Sequence, residues 1–316
     1  NKRHIKYMAS ILNNSQGQII VLSDDPIDDE KYKEEKISVW LKDKDIIKPS
    51  TNISLLQKIE PGIYTVDFSR DHGIYCKKMD IKSDELFVFS DSISEKLLKE
   101  INTFWEKSER YKQNNLVHKR GILLEGFPGT GKSSIISILC KEIISKGGVV
   151  FKINGIRNLD TYFEFIRYGF REIQPETPVV TILEDLDQYE EVESELLDFL
   201  DGKTHLDHHV VIATTNNTEL IPDTYLRPSR IDLKIEVPLP SEQTRREYFR
   251  FKNTPEDEIE NLVKQSEDFS LADLKELYVC IYLLDYTVEE AVGKITAPKE
   301  KKNYLNSSTS GSKLGL

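Results

Sequence analysis

The stretch GILLEGFPGTGKSS, residues 121–134, decides the fold of this chain. Its first half contains the apolar run Ile122 to Leu124, which predicts a short buried strand. Its second half matches the pattern G-x-x-x-x-G-K-[ST] from Gly126 to Ser133, and apolar residues then recur at helical spacing as far as Ile143. A strand, a glycine-rich loop and a helix in this order are the context in which that pattern binds phosphate groups.

The chemistry of the loop favours a nucleoside triphosphate with a metal ion. Its glycines permit the positive φ angles that turn backbone N–H groups inward, where they form a nest for an anion. The helix that follows adds the positive end of its dipole. Lys132 supplies a charge for the β- and γ-phosphates, and Ser133 supplies a hydroxyl for Mg²⁺. The alternative is a chance glycine turn before a buried helix. The predicted nucleotide-binding residues are Gly126, Phe127, Pro128, Gly129, Thr130, Gly131, Lys132, Ser133 and Ser134.

A second acidic motif follows the apolar strand predicted at 178–183. An enzyme with a phosphate loop needs a carboxylate at the end of a neighbouring strand to hold Mg²⁺. It also needs a base to orient the attacking water. We expect Glu184, together with Ser133, to bind Mg²⁺, and Asp185 to orient the water. Acidic residues at strand ends are also common as solvated caps, which is the alternative for both.

Composition restricts the class of partner and the cellular compartment. The chain has 316 residues, a net charge of −11 and 31% charged residues. An acidic surface does not attract phosphate backbones, which argues against nucleic acid as the main partner. No apolar run approaches the ~20 residues that a membrane helix needs, so we expect no membrane segment and a cytoplasmic protein. Cys76, Cys140 and Cys280 form neither a zinc spacing nor a disulfide framework, and the last two fit a helical core.

The strand and helix signals divide the chain into four parts. Residues 1–90 predict a small β-rich domain that recognises a target. Residues 91–238 alternate helices with near-continuous apolar strands, which predicts an α/β phosphate-loop domain with a parallel sheet. Residues 239–297 predict a helical lid, and the polar residues 298–316 predict a disordered tail. Because the first residue is Asn rather than Met, we expect that an N-terminal piece precedes this sequence.

Five motifs, in order, resemble those of the AAA ATPases. They are the phosphate loop, ILEDLD at 182–187, LLDFLDG at 196–202, ATTN at 213–216 and LRPSRID at 226–232. The resemblance covers roughly residues 91–296. The order Glu184-Asp185, where most members have Asp-Glu, is similar to the branch of the mitochondrial translocase that matures respiratory complex III, with its bacterial and phage-encoded relatives. A phage-encoded member would act in the host cytoplasm.

The resemblance implies a reaction, ATP hydrolysis with Mg²⁺, and roles for individual residues. It makes Glu184 the Mg²⁺ acid and Asp185 the acid that activates water. Asn216 matches sensor 1, which positions the attacking water. Arg227 and Arg230 match arginine fingers, which stabilise transition-state charge at the nucleotide of a neighbouring subunit. The resemblance therefore implies a homo-oligomeric ring, a hexamer in this family. Surface salt bridges are the alternative for both arginines, and a turn residue is the alternative for Asn216.

Two further segments bear on mechanism. Threading members of the family carry an aromatic residue followed by glycine in a pore loop, and 154–162, NGIRNLDTY, has no such pair. We expect Tyr162 and Phe163 to begin a helix and pack instead. In the lid, SLAD at 270–273 stands where many members have Ser-Gly-Ala-Asp near the nucleotide.

The main hypothesis is an ATPase that remodels, disassembles or translocates an unknown protein target. A nucleic-acid-associated ATPase that resembles helicase loaders is one alternative. A nucleotide-gated assembly scaffold with low turnover is the other, because aspartate replaces the usual glutamate at 185.

Overall fold

A seven-stranded sheet with helices on both faces forms the centre of the computed structural model. The structure describes residues 11–13, 19–21, 36–43, 46–54, 58–69, 73–79, 93–153, 159–188, 193–201 and 207–297. The α/β fold predicted from the phosphate loop and the apolar strands is confirmed. Within these ranges no helix is both long and apolar enough to cross a bilayer.

The sheet has the order β11-β7-β10-β9-β8-β5-β6, and all neighbours are parallel except the antiparallel pair β5 and β6. Two antiparallel hairpins, β1-β2 and β3-β4, form separate two-stranded sheets. The strands are β1 (Ile11–Asn13), β2 (Ile19–Val21), β3 (Lys36–Asp43), β4 (Ile46–Ser54), β5 (Gly62–Ser69), β6 (Gly73–Met79), β7 (Lys119–Glu125), β8 (Val149–Ile153), β9 (Val179–Leu183), β10 (His209–Thr215) and β11 (Leu233–Glu236).

Ten α-helices lie in the described residues. They are α1 (Ile93–Glu106), α2 (Ser108–Gln113), α3 (Lys132–Ser145), α4 (Leu159–Glu164), α5 (Arg171–Ile173), α6 (Glu193–Leu200), α7 (Glu242–Phe251), α8 (Glu256–Gln265), α9 (Leu271–Tyr282) and α10 (288–297). A π-helical turn, Phe165–Phe170, joins α4 to α5.

The central strands are apolar throughout because both of their faces are covered. Every residue of β9 is buried, and alternate residues point to opposite cores. Val180 and Ile182 pack with α1 and α3, whereas Val179 and Leu183 pack with α4 and α6. This is the pattern expected for a parallel sheet between two helical layers. Cys140 lies in the core between the sheet and helices α1 and α3. Burial there raises the pKa of its thiol to about 12, as expected for a structural cysteine.

The lid helices α7 to α10 form a third apolar core of their own. Ser241 begins α7 by accepting a hydrogen bond from the N–H of Thr244. Ser270 begins α9 with a reciprocal capping box to Asp273. Helix α8 begins directly after Pro255, which occupies the cap position.

Strands β5 and β6 belong to the central sheet. β5 pairs in parallel with β8, from Gly62 opposite Val149 to Tyr64 opposite Phe151. The predicted boundary at residue 90 is therefore corrected for residues 62–79, which the alternation of apolar residues had assigned to a separate N-terminal domain. Alternation indicates a strand but not its partner, and here the partner is the edge of the α/β sheet. Residues 80–92, at the predicted boundary, and the tail predicted at 298–316 lie outside the described residues.

Candidate active site

The glycine-rich loop joins β7 to α3 at the carboxyl edge of the sheet. Gly129 and Gly131 have φ angles of 80° and 100°, which other residues rarely adopt. At Gly126 the constraint is space, because a Cβ there would lie 2.3 Å from the carbonyl oxygen of Val237. The loop thus has the conformation that its glycines predict, with the start of α3 behind it.

The loop's other predicted residues divide between its surface and its interior. Phe127 is 69% exposed, and Pro128, Ser133 and Ser134 are exposed as well. Thr130 is buried, and its hydroxyl donates to the carbonyl oxygen of Phe127 at 2.9 Å. The hydroxyls at the start of α3 are therefore accessible to a ligand, while Thr130 closes the turn from within.

Lys132 lies across the loop and is only 8% exposed. Its Nζ donates to the carbonyl oxygens of Gly126 at 2.7 Å and Phe127 at 3.0 Å, and to Oδ1 of Asn216 at 2.8 Å. Burial lowers the pKa of Lys132, and the nearby carboxylate of Asp185 opposes that shift. The ammonium group is thus surrounded by oxygen acceptors, which is the environment that phosphate oxygens also provide.

Asn216 connects Lys132 to the acidic motif. It follows β10, and its Nδ2 donates to Oδ1 of Asp185 at 3.2 Å. Asp185 has a φ of 53°, and its backbone N–H donates to the hydroxyl of Thr214 at 3.1 Å. The structure therefore brings three of the predicted residues into one hydrogen-bonded chain at neighbouring strand ends. Thr214 lies in the ATTN motif at 213–216, but no role was predicted for it from the sequence.

Glu184 lies on the face of the sheet that α3 covers, where its charge acts on Cys140 of that helix. Its Oε2 forms a 2.5 Å ion pair with Nζ of Lys152, and both side chains are 31% exposed. Lys152 was missed in the sequence. Its signal was its position in β8, an apolar strand that it interrupts. β8 is hydrogen-bonded to β9, the strand that Glu184 follows.

The residues present fit a magnesium ion. The Ser133 hydroxyl and the Glu184 carboxylate are hard oxygen donors of the kind that Mg²⁺ prefers. In the described part of the chain no three His, Cys, Asp or Glu residues are grouped closely enough to hold a metal by themselves. A protein site with one or two oxygen ligands is typical of Mg²⁺ that a substrate's phosphates complete.

The two candidate finger arginines differ in environment. Arg227 is exposed and forms no ion pair with any described residue. Arg230 donates from Nε and Nη2 to the carboxylate of Asp201 at 2.5 and 2.8 Å, and from Nη1 to the carbonyl oxygen of Thr224 at 2.6 Å. For Arg230 the structure thus shows the intramolecular salt bridge that was the alternative to a finger. Arg227 retains the exposure that a finger needs.

The lid reaches the loop through the start of α9. The N–H of Ala272 donates to the carbonyl oxygen of Gly129 at 3.2 Å. A Cβ at Gly129 would lie 2.8 Å from Oγ of Ser270, and one at Gly131 would lie 2.8 Å from Cδ1 of Leu271. The SLAD segment therefore packs on the loop.

The candidate pore segment is described only in part. Residues 154–158 lie outside the described ranges. Tyr162 is buried in α4, and the ring of Phe163 stacks on Phe199 with centroids 4.7 Å apart. The prediction that these two aromatic residues begin a helix and pack is confirmed.

Comparison with known proteins gives a family match and a set of relatives. Residues 122–239 match the family described as "ATPase family associated with various cellular activities (AAA)". The chain is 27% identical over 284 residues to a proteasome-activating nucleotidase of Saccharolobus islandicus, covering 80% of this chain and 70% of that protein. It is 31% identical over 185 residues to the protein of that name from Aeropyrum pernix, with 51% and 44% covered. For Methanopyrus kandleri the identity is 25% over 262 residues, with 74% and 59% covered.

Proposed function

We propose that this chain, which carries an AAA ATPase domain at residues 122–239 and hydrolyses ATP, uses hydrolysis to remodel a protein target. The observation that carries the hydrolytic part of the proposal is the hydrogen-bonded chain from Lys132 through Asn216 to Asp185 beside the phosphate loop. It joins a phosphate-binding cation, a polar amide and a carboxylate base, which are the groups that phosphoryl transfer to water needs.

Each of these groups has a proposed task. The loop's N–H groups and Lys132 bind the β- and γ-phosphates. Asp185 accepts a proton from the attacking water, and Asn216 fixes the position of that water. Ser133 and Glu184 would hold Mg²⁺, which when bound neutralises charge on the phosphates.

We further propose that the working form is a homo-oligomeric ring, six subunits by family resemblance. Arg227 is exposed, and a guanidinium group directed outward is suited to a nucleotide on a neighbouring subunit. The relatives are named as nucleotidases that activate the proteasome, which supports a protein as the class of target. Assignment to the branch of the complex III translocase stays a prediction that rests on the Glu184-Asp185 order.

Substitution of Lys132 tests the site. We expect Lys132→Ala to reduce ATP turnover by a factor of about 100 or more, because the positive charge at the β- and γ-phosphates is lost. The measurement is phosphate release at saturating ATP, together with the affinity for a fluorescent ATP analogue. Lys146→Ala, which removes an exposed lysine that follows the same helix, is the matched control and should retain turnover. Undiminished turnover in Lys132→Ala would contradict the assignment.

A further inference from the structure

Lys119, at the start of β7, is a buried lysine with an unusual set of partners. It is 8% exposed, and its Nζ donates to backbone carbonyl oxygens from two distant segments. Ser229 accepts at 2.6 Å and Arg230 at 3.5 Å, and Leu200, at the end of α6, accepts at closer range. Burial lowers the pKa of Lys119, and the carboxylates of Asp232 and Asp201 oppose that shift. The ammonium group therefore cross-links α6 to the segment 226–232, which we call the finger loop.

The finger loop is fixed from the inside at several further points. Asp232 accepts from the N–H of Ser229 at 3.0 Å and from the N–H of Gly121 at 2.8 Å. Arg230 is held by its double contact to Asp201. Ser229 has a φ of 74°, a strained conformation for serine that persists only where the surroundings impose it.

The finger loop also lies in backbone contact with β7. A Cβ at Gly121 would lie 1.8 Å from the carbonyl oxygen of Arg230, so only glycine permits this approach. The N–H of Asp232 donates to the carbonyl oxygen of Gly121 at 2.8 Å. Of the loop's two arginines, only Arg227 is left directed to solvent.

We propose that Lys119 is a positioning residue for Arg227. Its ammonium group, with the Asp201–Arg230 pair, holds the strained finger loop against β7, so that Arg227 points at the nucleotide of the neighbouring subunit. This inference rests on the proposed function, because it assumes that Arg227 acts in trans. It also assigns Arg230 to the support of the loop rather than to the nucleotide.

The inference predicts a loss of ATP turnover without a loss of ATP affinity, whereas a general structural defect would lower both. Lys119 contacts neither the phosphate loop nor the chain of hydrogen bonds from Lys132 to Asp185. Lys119→Met keeps an unbranched apolar side chain as far as Cε and removes the three donated hydrogen bonds. We expect turnover to fall by about tenfold or more, in the direction of the loss for a missing arginine finger. ATP affinity should stay within about threefold of the unsubstituted protein, since the protomer's own phosphate loop is intact.

Mixing subunits gives the decisive measurement. A Lys119→Met subunit has an intact phosphate loop and a misplaced finger, whereas a Lys132→Ala subunit has the reverse. When the two are co-assembled, some sites combine an intact loop with an intact finger. We expect the mixture to exceed the mean activity of the separate preparations by about fivefold, since each defect lies in a different half of a shared site. Arg227→Ala mixed with Lys132→Ala should behave in the same way.

The possible outcomes distinguish the inference from the proposed function. Restored activity with both Arg227→Ala and Lys119→Met supports Lys119 as a positioning residue. Restoration with Arg227→Ala alone overturns the role of Lys119 and leaves the shared site intact. Restoration with neither overturns the shared site itself. If circular dichroism shows that Lys119→Met does not fold, Asp201→Asn, which releases Arg230, takes its place in the same mixtures with the same expectations.

Discussion

His209 illustrates how one buried side chain couples stability to pH. Its Nε2 lies 2.6 Å from the hydroxyl oxygen of Thr181, its Nδ1 has no hydrogen-bond partner in the described structure, and the ring is completely buried. Burial, and then the positive charges of Arg171 and Lys119, lower the pKa of His209 well below 6.5. The folded protein therefore keeps this imidazole neutral, at pH values where the unfolded chain protonates it.

We expect the free energy of unfolding to fall as the pH drops below about 6.5, with a contribution from His209 that approaches about 1.4 kcal/mol per pH unit. The sign follows because the unfolded state then binds more protons than the folded state. Urea titrations at pH 7.5, 6.5 and 5.5 measure the slope. His209→Leu should show a smaller slope than the unsubstituted protein. His118, whose pKa burial also lowers, accounts for part of what remains. Equal slopes in the two proteins would contradict the prediction.

At the scale of single residues, the sequence predicted those whose position is set by the segment that contains them. Lys132 and Ser133 are fixed by the loop that contains them, so a motif is sufficient to find them. The partners of Glu184 and Arg230 depend on which strands and helices lie side by side. Neither Lys152 nor Asp201 could be inferred from a pattern along the chain, because each ion pair joins different elements.

At the scale of elements, the contact between α9 and the phosphate loop links the lid to the nucleotide site. Gly129 is the point of contact, since its carbonyl oxygen accepts from the N–H of Ala272 and its Cα faces Ser270. A ligand that changes the conformation of the phosphate loop would therefore change the position of the lid. The closeness leaves no room for a side chain at Gly129.

We expect Gly129→Ala to weaken ATP binding by about tenfold or more, because the new methyl group would meet Ser270 and Ala272 and the φ of 80° is strained for alanine. Fluorescent-nucleotide titration measures the effect. Gly147→Ala is the matched control, since Gly147 has a φ of 85° but no atom within 4 Å of a Cβ. It should cost about 1 kcal/mol of stability and leave ATP affinity unchanged. Equal affinities in the two variants would show that the lid contact is not significant.

Elements with a strong period were predicted well, and elements defined by their partners were not. Strands β8, β9 and β10 are near-continuous apolar runs that alternate with helices, so the parallel sheet followed from the sequence. β11 was missed because it has four residues that alternate between half-buried and exposed. β5 was predicted as a strand but placed in the wrong unit, since register and partner are set by tertiary packing.

For the whole molecule, a site shared between subunits makes activity depend on assembly. We expect ATP turnover per subunit to decrease when the protein is diluted below the concentration at which rings dissociate, because Arg227 then has no neighbouring nucleotide. The test is to measure turnover over about a 100-fold dilution and to follow assembly by sedimentation velocity at the same concentrations. Arg227→Ala, whose low activity should vary much less with dilution, is the control. Constant turnover in a sample that sediments as monomer would contradict a shared site.

At the scale of the whole molecule, the sequence predicted the ATPase domain and the lid. It did not predict how the N-terminal part is attached to them. Apolar periods and motifs lie within domains, whereas attachment is a property of a single pairing of edge strands. Here that pairing is three residue pairs between β5 and β8.

This attachment has a mechanical consequence. The polypeptide joins the sheet at Gly62, in a strand that is hydrogen-bonded to β8. Tension applied to residues 1–61 would load the β5–β8 pair in shear, so that its backbone hydrogen bonds resist together rather than one after another. A cargo held there would thus be pulled in step with the sheet that carries the acids at 184 and 185.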